Sequence, residues 1–238
     1  MKKKLVIFLV IMSFLVTFAF AGCSSNSAQN NTLAPKASES ASSNTANNST
    51  NTNSGTATST SLTQEEKDGL LYSVEEEKLA RDVYLYLYNK WGLNVFKNIS
   101  SAEQRHMDAV RGLLEKFNLP DPTVNEKQGV FKDQKIQKLY DELTAEGSKS
   151  AVDALIVGAK IEEIDMIDLN KELNATNNKD IKSVYENLIA GSENHLRAFV
   201  SNLKKYGVDY KPQFLSQEQF DEIINATNSK GNGPKRGG

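Results

Sequence analysis

The chain has a single cysteine, Cys23, close to the N-terminus of its 238 residues. Everything that follows it therefore lacks the means for a disulfide, a thiolate metal site or an iron–sulfur centre. Proline is also scarce, and none of the five falls inside a candidate helix. Runs of alternating β-branched residues are missing, so nothing signals a sheet. No glycine-rich phosphate loop occurs, which argues against nucleotide binding, and no serine sits in a nucleophile elbow. The 28 basic residues are balanced by 30 acidic ones, so no basic surplus points to nucleic acid. Only two histidines exist, His106 and His195, and any imidazole chemistry must use them.

What is present begins with an N-terminal leader. "MKKKLVIFLVIMSFLVTFAFAGC" joins a basic start to an apolar run and then to small residues. That order describes an export signal, although the run is long enough for a retained membrane anchor to be the alternative. "FAGC" resembles the bacterial lipobox, with Phe20 where leucine is usual. The resemblance implies removal of residues 1–22, lipidation of Cys23 and a lipoprotein on the outer face of a membrane in the cell envelope. Residues 23–61 are mostly Ser, Thr, Asn and Ala, too polar to offset the entropy of ordering, and read as a flexible linker. Residues 228–238 read as a disordered basic tail, which leaves 62–227 as the folded domain.

The folded part reads as all-α. Thr63 and Glu66 form a capping-box pair at the start of a first helix, which Gly92 ends. A second helix is expected from Ser100 to the prolines of "NLPDP", and a short one over 133–146. A further helix starts near Ser150, another at Asn177 or Asn178, and Ser216 with Gln219 opens a last short one. Short links make two antiparallel hairpins, and the long connection between them carries its own helix. The expected fold is a ferritin-like four-helix bundle with one long crossover carrying a short helix, plus a short C-terminal helix.

At 100° per residue each long helix turns an ionisable group inward among apolar neighbours. These are Glu77, Glu103 with His106, Glu163, and His195. Burying such groups is costly unless they are paired or hold a cation. Glu103-x-x-His106 stacks carboxylate and imidazole one turn apart, so both reach one point between helices, and that mixture suits iron, manganese or zinc. Purely structural roles are open beside this one. Glu103 could be the acidic half of a capping box with Ser100, Glu77 and Arg81 a helix ion pair, and Glu75 and Glu76 a solvated face.

"EEEKLARDVY", "SSAEQRHMDAV", "GAKIEEIDMIDL" and "YENLIAGSENHLRAF" together resemble the prokaryotic ferritin-like family labelled domain of unknown function 2202. More distantly, Glu77-x-x-Ala80-x-x-x-Tyr84 and Glu103-x-x-His106 are similar to the first two helices of rubrerythrins. The resemblance implies a ferritin-superfamily bundle with one or two ions held by Glu77, Glu103, His106, Glu163 and His195, with Glu162 in reserve. Glu77 and Glu163 would bridge or cap a metal pair, and the others would be terminal ligands. Tyr84, Tyr88, Arg81 and Ser192 would lie just behind them. Ser192 departs from the superfamily pattern, which has a glutamate three residues before the second histidine. Oxygen- or peroxide-linked redox chemistry is what the resemblance implies. The alternative is a non-enzymatic envelope module whose inner polar residues are only structural, and a hemerythrin-like site has too few histidines. The membrane, through Cys23, is the one partner expected; nucleic acid and nucleotides are not, and a homodimer is compatible.

Overall fold

The computed structural model describes residues 61–226, so the leader, Cys23, the linker up to residue 60 and the basic tail lie outside the described residues. Among these there are six helices and no strand: α1 (Gln64–Trp91), α2 (Asn94–Lys116), α3 (Gln134–Gly147), α4 (Ala151–Ala175), α5 (Lys179–Lys205) and α6 (Gln217–Asn225). The helices start where short polar side chains can satisfy free amide groups. Thr63 and Ser216 form full capping boxes with Glu66 and Gln219, and Asp133, Ser150 and Asn178 cap α3, α4 and α5. Gly92 ends α1 at a φ of 67°, a left-handed geometry that costs a side-chain-bearing residue about 1 kcal/mol or more.

The second helix departs from expectation. It begins six residues earlier than Ser100, straight after the Gly92 turn, and its first residue has no side-chain cap to announce it. Phe96 and Ile99 are buried, and packing rather than capping starts the helix there. Ser100 is therefore an interior residue whose hydroxyl donates to the Lys97 carbonyl, and Glu103 is no part of a capping box.

Four long helices form the bundle in the order α1, α2, α5, α4. The ring of Tyr84 meets that of Phe96 at 6.1 Å while Arg81 reaches Gln104, so α1 and α2 run antiparallel. Ser192 on Asp165 and His195 beside Glu162 show the same for α4 and α5. Lys116 joins Asp180 across α2 and α5, and the Tyr84 hydroxyl lies 3.3 Å from the Gly158 carbonyl oxygen across α1 and α4. Residues 117–150 form the long crossover, and its helix α3 packs against α1 and α4; Trp91 donates to the Gly147 carbonyl there. α6 closes onto α5, where Arg197 donates to the Ile223 carbonyl.

The core is divided. One apolar cluster holds Tyr84, Phe96, Leu155, Phe199 and Leu203, and the other holds Leu70, Val74, Met107, Leu169 and Leu188. Each fully buried side chain of this size contributes about 1.5–3 kcal/mol. Between the clusters the helices place a layer of charged side chains.

Candidate metal centre

The layer is built from one turn of each long helix. Glu77 comes from α1, Glu103 and His106 from α2, Glu162 from α4 and His195 from α5. Glu103 lies at the centre, with Oε2 2.9 Å from His106 Nδ1 and Oε1 2.8 Å from His195 Nδ1. Glu77 Oε2 flanks His106 Nδ1 at 3.4 Å, and Glu162 Oε2 flanks His195 Nδ1 at the same distance. The imidazoles stack with centroids 5.3 Å apart. Ligand atoms of Glu103, His106 and His195 lie within 4.8 Å of one another, close enough for a common ion.

The Nδ1 atoms of both histidines face inward. The opposite edge of His106 presses on α5, where a β-carbon on Gly191 would come 2.5 Å from Nε2. Glycine at 191 is thus what lets the imidazole lie flat against the neighbouring helix. From below, Tyr84 donates its hydroxyl to Glu162 Oε1 at 2.5 Å, leaving Oε2 to face the cluster.

Burial and mutual charge set the protonation. Burial pushes Glu77 up to about 7 against the opposing pull of His106. For Glu103 burial also pushes upward, but the imidazoles of His106 and His195 outweigh it and take the carboxyl down to about 2. Burial lowers the two imidazoles, and the surrounding carboxylates reverse this, lifting His106 to about 11 and His195 to about 10. Burial and the charge of Glu103 raise Glu162.

These close approaches are not well-formed hydrogen bonds. Five buried side-chain polar atoms among the described residues have no hydrogen-bond partner, and four belong here: Glu77 Oε1, Glu103 Oε1, His106 Nδ1 and His195 Nδ1. Such orphaned atoms are costly in a native core, about 1–3 kcal/mol each, unless another species satisfies them.

Of the residues expected from the sequence, the structure brings together Glu77, Glu103, His106 and His195, with Glu162 rather than Glu163. Glu163 points away from the layer. Its Oε1 accepts from the Tyr210 hydroxyl, and its Oε2 accepts from the backbone N–H groups of Gln213, Phe214 and Leu215, so it anchors the segment leading to α6. Both neighbours are buried, at 1% and 0% exposure, because α4 is covered on more than one side. With no solvent face to set the phase, periodicity alone could not choose between them.

The supporting residues divide in the same way. Tyr84 lies directly behind Glu162. Tyr88, one turn further along α1, lies under the Lys97 ammonium instead. Arg81 turns from Glu77 to Asp82, Gln104 and the Met107 sulfur. Ser192 donates to Asp165 Oδ2 at 2.5 Å. Asp165 itself escaped the sequence reading: where α5 offers only a serine, a carboxylate comes from α4. Burial raises Asp165 well above its ordinary value, and the charges of Glu77, Glu162 and Glu103 add to this. The signal was Glu162-x-x-Asp165, the same one-turn spacing as Glu103-x-x-His106.

The triplet Glu75, Glu76 and Glu77 is also corrected, because all three are buried. Glu75 accepts from the backbone N–H groups of Lys132 and Asp133 and pins the crossover over α1, which removes the expected solvated face.

Fold and site together define a helical bundle with a buried Glu/His cluster that could hold a metal ion. The chain belongs to the family described as "Uncharacterized protein domain (DUF2202)", whose model matches residues 66–227. It is 56% identical over 170 residues to the uncharacterized protein MJ0754 of Methanocaldococcus jannaschii, covering 71% of this chain and 92% of that one. The crystal structure of hypothetical protein MJ0754 from Methanococcus jannaschii superimposes with a TM-score of 0.69 at 57% identity, covering 70% of this chain and 95% of that one.

Proposed function

We propose that this protein is a ferritin-like metal-binding protein, lipid-anchored at Cys23 to the outer face of a membrane. It holds one or two ions of iron, manganese or zinc in the Glu/His layer. The observation that carries the reading is the set of four orphaned ligand atoms on Glu77, Glu103, His106 and His195, all buried and gathered between two apolar clusters. A donor set of imidazole and carboxylate fits these metals. The hairpin–crossover–hairpin order is also that of bundles which place such sites in their cores.

Glu103, between the imidazoles, is the residue able to serve two ions, while Glu77 and Glu162 would complete the outer sides. Tyr84 fixes the orientation of Glu162 and keeps its phenol protonated, since burial raises its pKa well above the ordinary value. The aromatic cluster of Tyr84, Phe96 and Phe199, with ring spacings of 5.2–6.1 Å, excludes water from one side. A bound redox metal would supply one-electron chemistry toward oxygen or peroxide.

The test is metal analysis of protein purified without chelator, comparing wild type, His106→Ala, Glu162→Gln and Glu163→Gln. Metal lost from the first two variants and retained in the third supports the reading. Equal, substoichiometric metal in all four removes it.

One observation favours the structural alternative. The Glu103 contacts at 2.8 and 2.9 Å let two imidazolium ions and the carboxylates balance their charges without an ion. On that reading, joint replacement of Glu103 and His106 by apolar residues leaves the melting temperature unchanged or raised, whether or not metal is added.

A further inference from the structure

The two ends of the bundle differ in charge. The rings of Tyr84, Phe96 and Phe199 pack together, and a β-carbon on Gly158 would touch Phe199, so these four residues share one level of the bundle. From that level α1 and α5 run on to Trp91 and Lys205, while α2 and α4 run back to Asn94 and Ala151. All four termini therefore lie at one end, within about two turns of the aromatic level. The last turn of α3 reaches the same end, where Trp91 donates to the Gly147 carbonyl.

Five exposed lysines belong to this end: Lys90, Lys97, Lys149, Lys204 and Lys205. Among the described residues none of them has a carboxylate at ion-pair distance; Lys205 reaches only the Asn202 amide. The acids nearby are Asp209 and Asp153, and the latter is taken up with the Ser150 hydroxyl. At the opposite end Arg111 meets Asp121, Lys116 meets Asp180 and Lys171 meets Glu172. Exposed Glu65, Asp68 and Glu115 offset the other lysines there.

Aromatic rings stand among the unpaired lysines. The Lys90 ammonium is 5.8 Å from the Trp91 ring and the Lys97 ammonium 5.9 Å from that of Tyr88. Tyr206, beside Lys205, is 47% exposed. Tryptophan and tyrosine favour the headgroup level of a bilayer, and lysine lays its apolar stem along such a surface while its ammonium meets the phosphates. An acidic protein would complement the charge but gives no reason for the rings. The membrane is also within reach. α1, with 28 residues, is about 42 Å long, and residues 24–63 can extend to about 130 Å, so an anchor at Cys23 lets the far end of the bundle touch the same bilayer.

We propose that this end of the bundle docks on anionic phospholipid headgroups, with the five lysines on the phosphates and Trp91 and Tyr206 at the interface. No residue of the Glu/His layer takes part, so the inference stands apart from the metal reading; it uses the anchor only to keep the lipid near. Each lysine close to an anionic lipid surface strengthens attachment roughly fivefold, and salt weakens it.

Trp91 is the only tryptophan of the chain, so its fluorescence reports on this end alone. The full chain is bound to vesicles of phosphatidylcholine, with or without phosphatidylglycerol, that carry bromine on the acyl chains as a quencher. Flotation shows whether the chain is held by both. Trp91 should be quenched in the anionic vesicles, spared in the neutral ones and released by salt. Joint Lys149→Glu, Lys204→Glu and Lys205→Glu should abolish the quenching, since each charge removed costs about fivefold. Joint Lys67→Glu, Lys179→Glu and Lys182→Glu, at the other end, should leave it unchanged. A chain that floats with both vesicles yet shows no quenching, equal quenching in both, or equal loss in the two triple variants would each overturn the docking and leave the anchor standing. Protection of Trp91 from acrylamide by soluble polyglutamate, without quenching by anionic lipid, would assign the end to an acidic protein instead and overturn the membrane. A chain that floats with neither vesicle overturns the anchor and the docking together.

Discussion

Glu103→Gln tests the charge balance at the centre of the bundle. The carboxylate is 2% exposed and contacts both imidazoles, at 2.9 Å and 2.8 Å. Glutamine keeps the shape, removes the charge and turns an NH₂ group toward one of two buried cations. Removing one member of a buried ion pair costs about 3–5 kcal/mol, because the remaining charge is left without compensation. A domain of this size loses roughly 2–4 °C of melting temperature per kcal/mol, so the metal-free variant should melt about 6–20 °C below wild type.

The effect should depend on pH in a definite direction. The histidines are raised from 6.5 to about 11 and about 10, so their stabilisation is complete below 6.5 and disappears as pH climbs through those values. Glu103 is depressed from 4.5 to about 2, so its contribution is present above 4.5 and is lost as pH falls through about 2. The gap between wild type and variant is therefore widest near pH 5–6 and narrows steadily above it. Calorimetry of chelator-treated protein near pH 6 and near pH 9 measures both points. A midpoint within about 2 °C of wild type at the lower pH, or a gap that widens at the higher one, would refute the charge balance described here.

Other consequences are open to direct measurement. Gly191→Ala drives a methyl group onto the His106 ring and should weaken Co²⁺ affinity by about tenfold or more, read by equilibrium titration. Glu163→Gln should leave metal content unchanged but speed amide hydrogen exchange at Gln213, Phe214 and Leu215, since their shared acceptor loses its charge. Because both imidazoles are held protonated in the metal-free layer, ion uptake must release protons and strengthen as pH rises. Weakly buffered dye titrations should show acidification on adding Zn²⁺ to wild type and a smaller signal from His195→Ala.

The local reading of the chain succeeded where chemistry is local. Caps at Thr63, Ser150, Asn178 and Ser216, the stop at Gly92 and the isolated short helix in the crossover are all set by side chains within a few residues. Glu103-x-x-His106 was legible for the same reason, as a spacing along one helix. The start of α2 was not, because no polar cap marks it and its first turns are held by the distant partners of Phe96 and Ile99.

The faces of α1 and α4 required the tertiary structure. Periodicity divides a helix into one dry side and one wet side, and both helices break that assumption. The crossover seals the outer side of α1, so Glu75, Glu76 and Glu77 are all buried yet serve three different ends: a loop anchor, a groove and the central layer. On α4 the C-terminal segment claims Glu163, leaving Glu162 for the cluster and bringing Asp165 to the position where Ser192 offers no carboxylate. Sequence alone determined that a helical bundle would carry glutamate and both histidines inward. Which glutamates meet those histidines was decided by the packing of segments far apart in the chain, since only packing settles which face of an enclosed helix points at which neighbour.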